Sequence, residues 1–432
     1  MKGRGLDLRV AGVICEYNPF HLGHEWMLQQ LRAQGAEAIV CVMSGNFVQR
    51  GDLAIADKLS RAEMAVRCGA DVVLELPTPW AAATAEHFAT GGVTALACTG
   101  VVTDLAFGSE CGDAALLQRV AAVLDSDAYH VQLRELLRGG ESFAVCRQKA
   151  VAALLGEDDA RVLDQPNNNL GVEYCRALSK LGAPLGVMTV LRRGADHDGA
   201  PADAIASASH IRRLLLSGRT EEAMTYLPRP AADVLRRELA EGRAPVSMAQ
   251  VERSVLARLR SLDEDALAAY DQENKTLTVV LLNTSDKDKT LSLNLSAFTL
   301  PDGSVQAIRG AGTIDELLEL GKTKRYTHAR LRRMVLAAWL DLPVRPPQTL
   351  PCLRLLGCSE AGRSLLRQMR DGGAPILTRA ADAHQLGAAA QQMMQDEAAR
   401  TDLYTLAFPD LRQSVCGRDW RTTPFLMRGE RA

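Results

Sequence analysis

The residues best suited to chemistry are two histidines that flank a glycine, His21 and His24 in the stretch HLGH. This stretch follows the apolar run LRVAGVIC and opens a helical pattern, so the N–H groups and positive dipole end of a helix face whatever lies before it. Gly23 lets the backbone approach a ligand closely. Fixed donors there suit the α-phosphate of a nucleoside triphosphate, where charge develops during adenylyl transfer. The alternative is an ordinary helix N-cap with two surface or core histidines.

A second candidate is the stretch SASHIRR, residues 207–213. Ser207 and Ser209 are favourable N-cap residues for the helix that follows. Together with Arg212, they could also hold phosphate oxygens through hydroxyl, backbone N–H and guanidinium groups. Taken alone, the pattern favours capping; beside the histidine motif it favours phosphate binding.

Polar residues elsewhere add weaker candidates. The helical pattern ADKLSRAEMA places Lys58 and Arg61 three residues apart, which predicts either a solvated face or a contact with phosphate or an acidic substrate. Gly108, in FGSE, lies where only a backbone fits, next to an adenine or a ribose. Arg192 and Arg193 could clamp phosphates or be solvated.

The elements that must position these residues alternate along the first hundred residues. Apolar runs of strand length, such as AEAIVCVMS and DVVLELP, are separated by helical segments. This alternation predicts an α/β fold with a parallel sheet that is covered on both faces. Ligands of such sheets bind at the carboxyl ends of the strands, where HLGH, SGNFVQRGD and FGSE all fall.

The rest of the chain divides into a helical region and a C-terminal unit. We predict a catalytic domain over 1–217, a helical middle region over 218–345 and a small C-terminal α/β domain over 346–432. Within the middle region, 272–308 reads as two β-type runs joined by the charged turn SDKDK, which indicates a hairpin. The Asn run at 166–169 offers amides for a base or ribose, or forms a simple turn.

Composition is that of a globular protein: 47% of the 432 residues are hydrophobic and 24% are charged. The net charge is −2, so a polynucleotide would have to dock on local basic patches such as KTKRYTHARLRR, residues 322–333. We find no run of about eighteen apolar residues and no signal-peptide pattern. We therefore expect a cytoplasmic protein that is not associated with a membrane. The ten cysteines include no CxxC pair, which disfavours zinc sites and disulfides.

Eight blocks in order make the chain resemble the bacterial tRNA(Met) cytidine acetate ligases of the HIGH-motif nucleotidyltransferase superfamily. They are GVICEYNPFHLGH, MSGNFVQRGD, DKLSRAEMA, DVVLELP, FGSE, PNNNLGVEY, IASASHIR and KTKRYTHARLRR. The resemblance implies a Rossmann-like domain that activates acetate with ATP to acetyl-adenylate. It further implies acetylation of N4 of the wobble cytidine in elongator tRNA(Met), with release of AMP and pyrophosphate. No obligate protein partner is expected.

The resemblance also implies roles for residues. His21 and His24 would stabilise the α-phosphate, and the predicted catalytic group is His21, His24, Lys58 and Ser209. Ser207, Ser209 and Arg212 take the place of the superfamily's second phosphate-binding motif. The residues predicted to bind ATP are Ile14, Cys15, Glu16, Tyr17, Asn18, Pro19, Phe20, His21, Leu22, Gly23, His24, Glu25, Trp26, Met27, Gly108, Asn167, Asn168, Arg192 and Arg193.

For tRNA, the basic run predicts contacts by Lys322, Lys324, Arg325 and Arg330, and Mg²⁺ is the ordinary companion of ATP. The β-type stretch 272–308 departs from the family, which runs there through a short helical segment. Two other functions remain open: a small-molecule adenylyltransferase that uses the same turn, and a non-catalytic RNA-binding module that keeps the nucleotide fold.

Overall fold

A computed structural model describes residues 8–192 except 140 and 142, and residues 205–262, 266, 269–270, 277–281, 289–293, 311–322 and 327–428. Its centre is an eight-stranded sheet in the order β11-β10-β5-β2-β1-β6-β7, with β12 paired to β10. The strands of the described chain are β1 Val10–Cys15, β2 Ala38–Ser44, β3 Phe47–Val48, β4 Asp52–Leu53, β5 Val72–Leu76, β6 Asp104–Ser109, β7 Gly186–Leu191, β8 Leu277–Leu281, β9 Lys289–Leu293, β10 Leu353–Cys358, β11 Ile376–Leu377 and β12 Phe425–Leu426.

Helices cover the sheet and fill the middle of the chain. In the described residues they are α1 Leu22–Ala33, α2 Lys58–Arg67, α3 Thr78–Ala81, α4 Ala85–Cys98, α5 Ala114–Leu124, α6 Asp127–Leu137, α7 Phe143–Leu155, α8 Glu157–Ala160, α9 Pro166–Leu181, α10 Ala208–Leu216, α11 Thr220–Met224, α12 Arg229–Ala240, α13 Met248–Arg260, α14 Ile314–Gly321, α15 His328–Leu340, α16 Gly362–Asp371, α17 Ala388–Thr405 and α18 Arg418–Arg421. None of them is both long enough and apolar enough to span a bilayer.

The sheet is mainly parallel, as the alternation of strands and helices predicts. Strands β2, β1, β6 and β7 pair in parallel, and β5 pairs in parallel with β2. All seven residues of β2 are buried. Val40 and Val42 of β2 belong to one apolar cluster, and Ile39 and Cys41 belong to another. This alternation places a core on each face of the sheet, which explains why its strands are apolar runs.

The strands of the predicted C-terminal α/β unit extend this sheet. Strand β10 pairs antiparallel with β5, and β11 and β12 pair in parallel with β10. A strand–helix pattern predicts that such elements exist but not which strand they pair with, because the partner β5 lies far away in the sequence. The boundary predicted at 346 therefore does not separate two sheets.

The middle region is helical from α11 to α13 and again over α14 and α15, which share an apolar cluster. Strands β8 and β9 pair antiparallel, as expected of the hairpin predicted within 272–308, and its charged turn lies outside the described residues. All ten cysteines are free thiols.

Candidate active site

The histidine motif lies at the carboxyl end of β1, between the strands where the sheet changes its winding direction. From β1 the chain proceeds to β2 and β5 on one side, and it returns to β6 and β7 on the other. Crevices at such a reversal are the usual ligand sites of open α/β sheets. The carboxyl ends of β6 and β7 contribute Gly108 and Arg192, so three predicted segments converge at this edge.

The two imidazoles form a capping box at the start of α1. His21 is the N-cap residue, and its Nδ1 accepts a hydrogen bond from Gly23 N at 3.0 Å. His24 Nδ1 accepts one from His21 N at 3.3 Å. Because Nδ1 of each ring accepts a backbone proton, each neutral ring carries its own proton on Nε2. The capping role and the donor role therefore use different nitrogens and are compatible.

The rings of His21 and His24 stack, with centroids 3.7 Å apart and an interplanar angle of 28°. Gly23 makes this possible, because a Cβ there would lie 2.9 Å from Cε1 of His21. The rings of Tyr17 and Phe20 also pack against His24, with centroids 4.8 and 5.5 Å from that of His24. The glycine and the aromatic residues thus hold both rings in one orientation.

Both histidines are neutral in this environment. Burial, assisted by the positive charges of Arg192 and Arg212, lowers the pKa of His21 from 6.5 to about 3. Burial also lowers the pKa of His24 well below 6.5, and His21 and Arg192 add to the effect. The motif therefore offers two fixed, uncharged N–H donors at neutral pH, the kind of group that can stabilise developing negative charge.

The second predicted motif packs directly against the first. Arg212 donates from Nη1 to the carbonyl oxygen of Asn18 at 2.8 Å and from Nη2 to Ser209 Oγ at 3.2 Å. Ser207 caps α10 by accepting from His210 N. Because Ser209 Oγ accepts from the guanidinium, its own proton remains available to a ligand. The structure therefore brings together both motifs predicted to bind phosphate.

The third group joins Gly108, Asn167 and Arg192. Arg192 Nη1 donates to Asn167 Oδ1 at 3.2 Å, and a Cβ at position 108 would lie 3.3 Å from Cγ of Arg192. Glu110 organises the group, since it accepts from Asn167 Nδ2 at 2.6 Å and from Asn168 N at 2.8 Å. Glu110 is the last residue of FGSE and caps the start of α9, a role that the sequence does not reveal because the helix begins more than fifty residues later.

Within the segment 14–27, several side chains are structural. Ile14, Tyr17 and Phe20 are core residues. Asn18 is buried, and its Oδ1 accepts a hydrogen bond from Ile55 N at 2.7 Å. Tyr17 adopts φ +45°, a conformation that L residues rarely take, at the point where the chain turns out of β1. The predicted contacts of this segment with ATP remain predictions.

The loop after β2 connects this site with the predicted tRNA-binding helix. Glu16 Oε1 accepts from Gln49 N at 2.8 Å, and burial raises the pKa of this carboxyl. Gly51 has φ +74°, and a Cβ there would lie 2.5 Å from the backbone of Arg332 and Arg333. Helix α15 therefore packs on the loop that contacts the ATP segment.

Lys58 requires a correction, because the structure gives it neither of its predicted roles. Its side chain is 1% exposed, and Nζ contacts Glu75 Oε1 and Asp419 Oδ2 at 2.8 Å each and Thr401 Oγ1 at 3.2 Å. All three ammonium protons are thus used inside the protein. The sequence showed only a cation in a first helical turn, and the burying partner lies 361 residues away.

Arg61 is likewise not part of a solvated face. It is fully buried and donates to the backbone carbonyls of Glu16, Ser44, Gly45 and Ala56. It therefore joins α2 to the segment that carries the histidine motif.

Three predicted residues, Arg193, Lys324 and Arg325, lie outside the described residues. Lys322 is exposed after α14, and Arg330 is half-buried on α15. In the described part of the chain, no three His, Cys, Asp or Glu side chains are grouped so that they could hold a metal ion.

Comparison with known proteins places this site in context. The family model described as HIGH Nucleotidyl Transferase matches residues 8–299 and 300–419. The tRNA(Met) cytidine acetate ligase of Syntrophomonas wolfei is 32% identical over 435 residues, which is 96% of this chain and 99% of that protein. The ligase of the same name from Syntrophotalea carbinolica is 50% identical over 234 residues, which is 53% of this chain and 55% of that protein.

The fold agrees as well. The crystal structure of Thermotoga maritima TmcAL bound with alpha-thio ATP superposes with a TM-score of 0.84 at 33% identity, and the match covers 97% of this chain and all of that one.

Proposed function

Because the chain belongs to the tRNA(Met) cytidine acetate ligases of the HIGH nucleotidyl transferase family, we propose that it is an ATP-dependent ligase that joins acetate to tRNA(Met). The observation that carries the proposal is the stacked pair of neutral histidines at the N-terminus of α1. The site that they form is suited to an α-phosphate, and several full-length relatives share the name of this activity.

The reaction has two steps. A carboxylate oxygen of acetate attacks the α-phosphorus of ATP, pyrophosphate leaves, and acetyl-adenylate forms. The N4 amine of the wobble cytidine of elongator tRNA(Met) then attacks the acetyl carbonyl carbon, an N–C bond forms, and AMP leaves with the electron pair of the broken C–O bond. The amine loses one proton to solvent.

The residues of this chain contribute mainly fixed donors. In the proposed complex, His21 and His24 donate from Nε2 to an oxygen of the α-phosphate, whose charge grows in the transition state. Ser209 and Arg212 hold phosphate oxygens beside them. We propose that Gly108, Asn167, Asn168, Arg192 and Arg193 complete the nucleotide site. Lys58 is left out of this machinery because its buried ion pairs occupy it.

For tRNA, we propose that Lys322, Lys324, Arg325 and Arg330 contact phosphates. Support comes from the packing of α15 on the loop 45–53, which contacts Glu16 in the ATP segment. RNA held on this helix would lie beside the place where the adenylate forms. Mg²⁺ would enter with ATP and neutralise part of the triphosphate charge, held chiefly by phosphate oxygens and water.

The proposal is tested first without tRNA. Purified protein with ATP and acetate should exchange labelled pyrophosphate into ATP and form AMP. The products ADP and inorganic phosphate would contradict adenylation.

The second test adds tRNA. Elongator tRNA(Met) should gain one acetyl group on a single cytidine, detected by mass spectrometry of its nucleosides. A different result would favour a small-molecule adenylyltransferase: the protein exchanges pyrophosphate but neither acetylates tRNA nor retains it. Retention of tRNA through phosphate contacts would be recognised by its steep loss at higher ionic strength.

A further inference from the structure

A second polar surface lies beside α2 and strand β12. It is an open groove of about 800 Å³ between α2, α12 and the C-terminal segment 418–428. Six arginines and only two carboxylates line it, Glu63 and Glu238. The arginines are Arg237, Arg243, Arg363, Arg418, Arg421 and Arg428.

Three of these arginines are neutralised by carboxylates. Arg237 pairs with Glu63 at 2.8 Å and with Glu238 at 2.9 Å, and Arg243 pairs with Glu238 at 2.8 Å. Arg418 pairs with the buried Asp57 at 3.0 Å. These pairs fix the walls of the groove.

The other three arginines have no carboxylate partner among the residues that the structure describes. Arg363 donates to the carbonyl oxygen of Met427 at 3.0 Å, and Arg421 donates to the carbonyl oxygens of Val415 and Cys416. Backbone carbonyls orient a guanidinium without cancelling its charge. Arg428 is exposed and has no hydrogen bond or ion pair with the residues that the structure describes. The groove therefore presents three positive charges to solvent.

The size of the groove and of its neighbour leaves room for more than one small anion. A neighbouring cavity of about 360 Å³ shares Glu63 and Arg237 with the groove and adds Arg67 and Arg229. Arg67 and Arg229 each pair with a carboxylate of their own helix, Glu63 and Asp233. Several forked donors that line one open groove suit a polyanion better than a single small anion.

Both helices of the groove are also tied to the ATP segment. Arg61 of α2 donates to the carbonyl oxygen of Glu16, and Leu22 N donates to the carbonyl oxygen of Tyr226, just before α12. A polyanion in the groove would therefore be held by elements that carry the histidine motif.

We propose that this groove binds the sugar-phosphate backbone of the tRNA substrate, at a place separate from α15. The inference rests on the proposed function, because it names a second docking surface for the same partner. It assigns Arg363, Arg421 and Arg428 to affinity and positioning and gives them no part in adenylation.

The test is the triple variant R363Q/R421Q/R428Q. We expect its dissociation constant for tRNA(Met) to rise at least tenfold at about 0.1 M salt, because each lost phosphate contact removes about 0.7–0.9 from the slope of log K against log salt. The slope should fall by about 2 or more. Acetate-dependent ATP–pyrophosphate exchange without tRNA should stay within twofold of the unsubstituted protein.

The matched control is R119Q/R134Q/R161Q, which removes three exposed arginines on α5, α6 and the turn after α8. It changes the net charge equally, and its tRNA affinity should change less than threefold. A second variant, R363K/R421K/R428K, keeps the charges and should retain most of the salt slope.

Several outcomes overturn the inference. One is a triple glutamine variant that binds tRNA with unchanged affinity and slope, while the unsubstituted protein both exchanges pyrophosphate and acetylates tRNA. Equal losses in the glutamine variant and its control would show a general charge effect. Failure of exchange in the unsubstituted protein would instead contradict the proposed function itself.

Discussion

The imidazoles of His21 and His24 lie face to face at 3.7 Å, and each accepts a backbone N–H at Nδ1. The two nitrogens of each ring therefore have separate roles: Nδ1 accepts a hydrogen bond within the helix cap, and Nε2 donates toward the proposed phosphate. This separation can be tested, because asparagine places an acceptor near the position of Nδ1 but has no donor at the position of Nε2.

We predict that H24N lowers the rate of acetate-dependent exchange at least a hundredfold, as expected when a fixed donor to developing charge is lost. Its free energy of unfolding should stay within about 1 kcal/mol of the unsubstituted value, because the cap is kept. H24A should lose both the exchange activity and the stability that the cap provides. An H24N protein with full activity would show that capping is the only function of this ring.

Stability should depend on pH through His21. Its pKa is about 3 in the folded protein and 6.5 when unperturbed. Below pH 6.5 the unfolded chain binds a proton that the folded chain does not, so stability falls as the pH falls toward 3. Between pH 7 and 5 this residue should reduce the free energy of unfolding by about 2 kcal/mol.

Urea titrations of the unsubstituted protein and of H21N at both pH values measure this effect. The difference between their free energies of unfolding should change by about 2 kcal/mol between the two pH values, because asparagine does not titrate. Parallel pH dependence in the two proteins would mean that His21 is not held neutral.

Lys58 should matter for stability and not for chemistry. Burial opposes its charge, but the carboxylates of Asp419 and Glu75 outweigh this and raise the pKa of the ammonium group. K58M leaves the two buried carboxylates to share the single guanidinium of Arg354, so one buried negative charge loses its counter-charge. We therefore expect a loss of about 3–5 kcal/mol in the free energy of unfolding. Exchange activity per folded molecule, measured well below the melting temperature, should change less than threefold.

The control for K58M is K149M, since Lys149 pairs with Glu141 at the surface and is 52% exposed. An exposed pair contributes at most about 1 kcal/mol. A stable but inactive K58M protein would return Lys58 to the catalytic group.

Gly51 should control the docking of α15. G51A adds a Cβ that meets the backbone of Arg332 and Arg333, in addition to the strain of a positive φ. G100A carries the strain alone, because Gly100 has φ +68° and open space around its Cβ.

We expect G100A to cost about 1–2 kcal/mol of stability and G51A at least about 1–3 kcal/mol more. Acetylation of tRNA by G51A should fall further than pyrophosphate exchange, because the loop positions the basic helix. Equal losses of the two activities would separate α15 from tRNA binding.

The parallel sheet and the place of the ATP segment could be predicted because both depend on local patterns. Buried strands are continuous apolar runs, and the strand–turn–helix order puts HLGH at a carboxyl end. Ion pairs between residues that are far apart in the sequence leave no local pattern from which they could be predicted. Arg354 lies in the buried strand β10 because Glu75 and Asp419 neutralise it, and those residues are 279 and 65 positions away.

The same argument applies within the site. Asn167 and Arg192 could be predicted as members, but Glu110, which holds Asn167 and Asn168 in place, could not be recognised as their common partner. A carboxylate at the end of a strand has many possible partners in sequence and only one set in space.

The bond between Lys58 and Asp419 has a consequence for how the protein is made. The ribosome completes α2 and β5 early. Asp419, the second carboxylate that pairs with Lys58, and strand β10, which covers the outer edge of β5, are made with the last part of the chain. Until then the nucleotide-binding half holds Lys58 with only one of its two carboxylates, Glu75, and has an open sheet edge. A message cut short near its 3′ end would yield a chain that chaperones and proteases can distinguish from the finished enzyme.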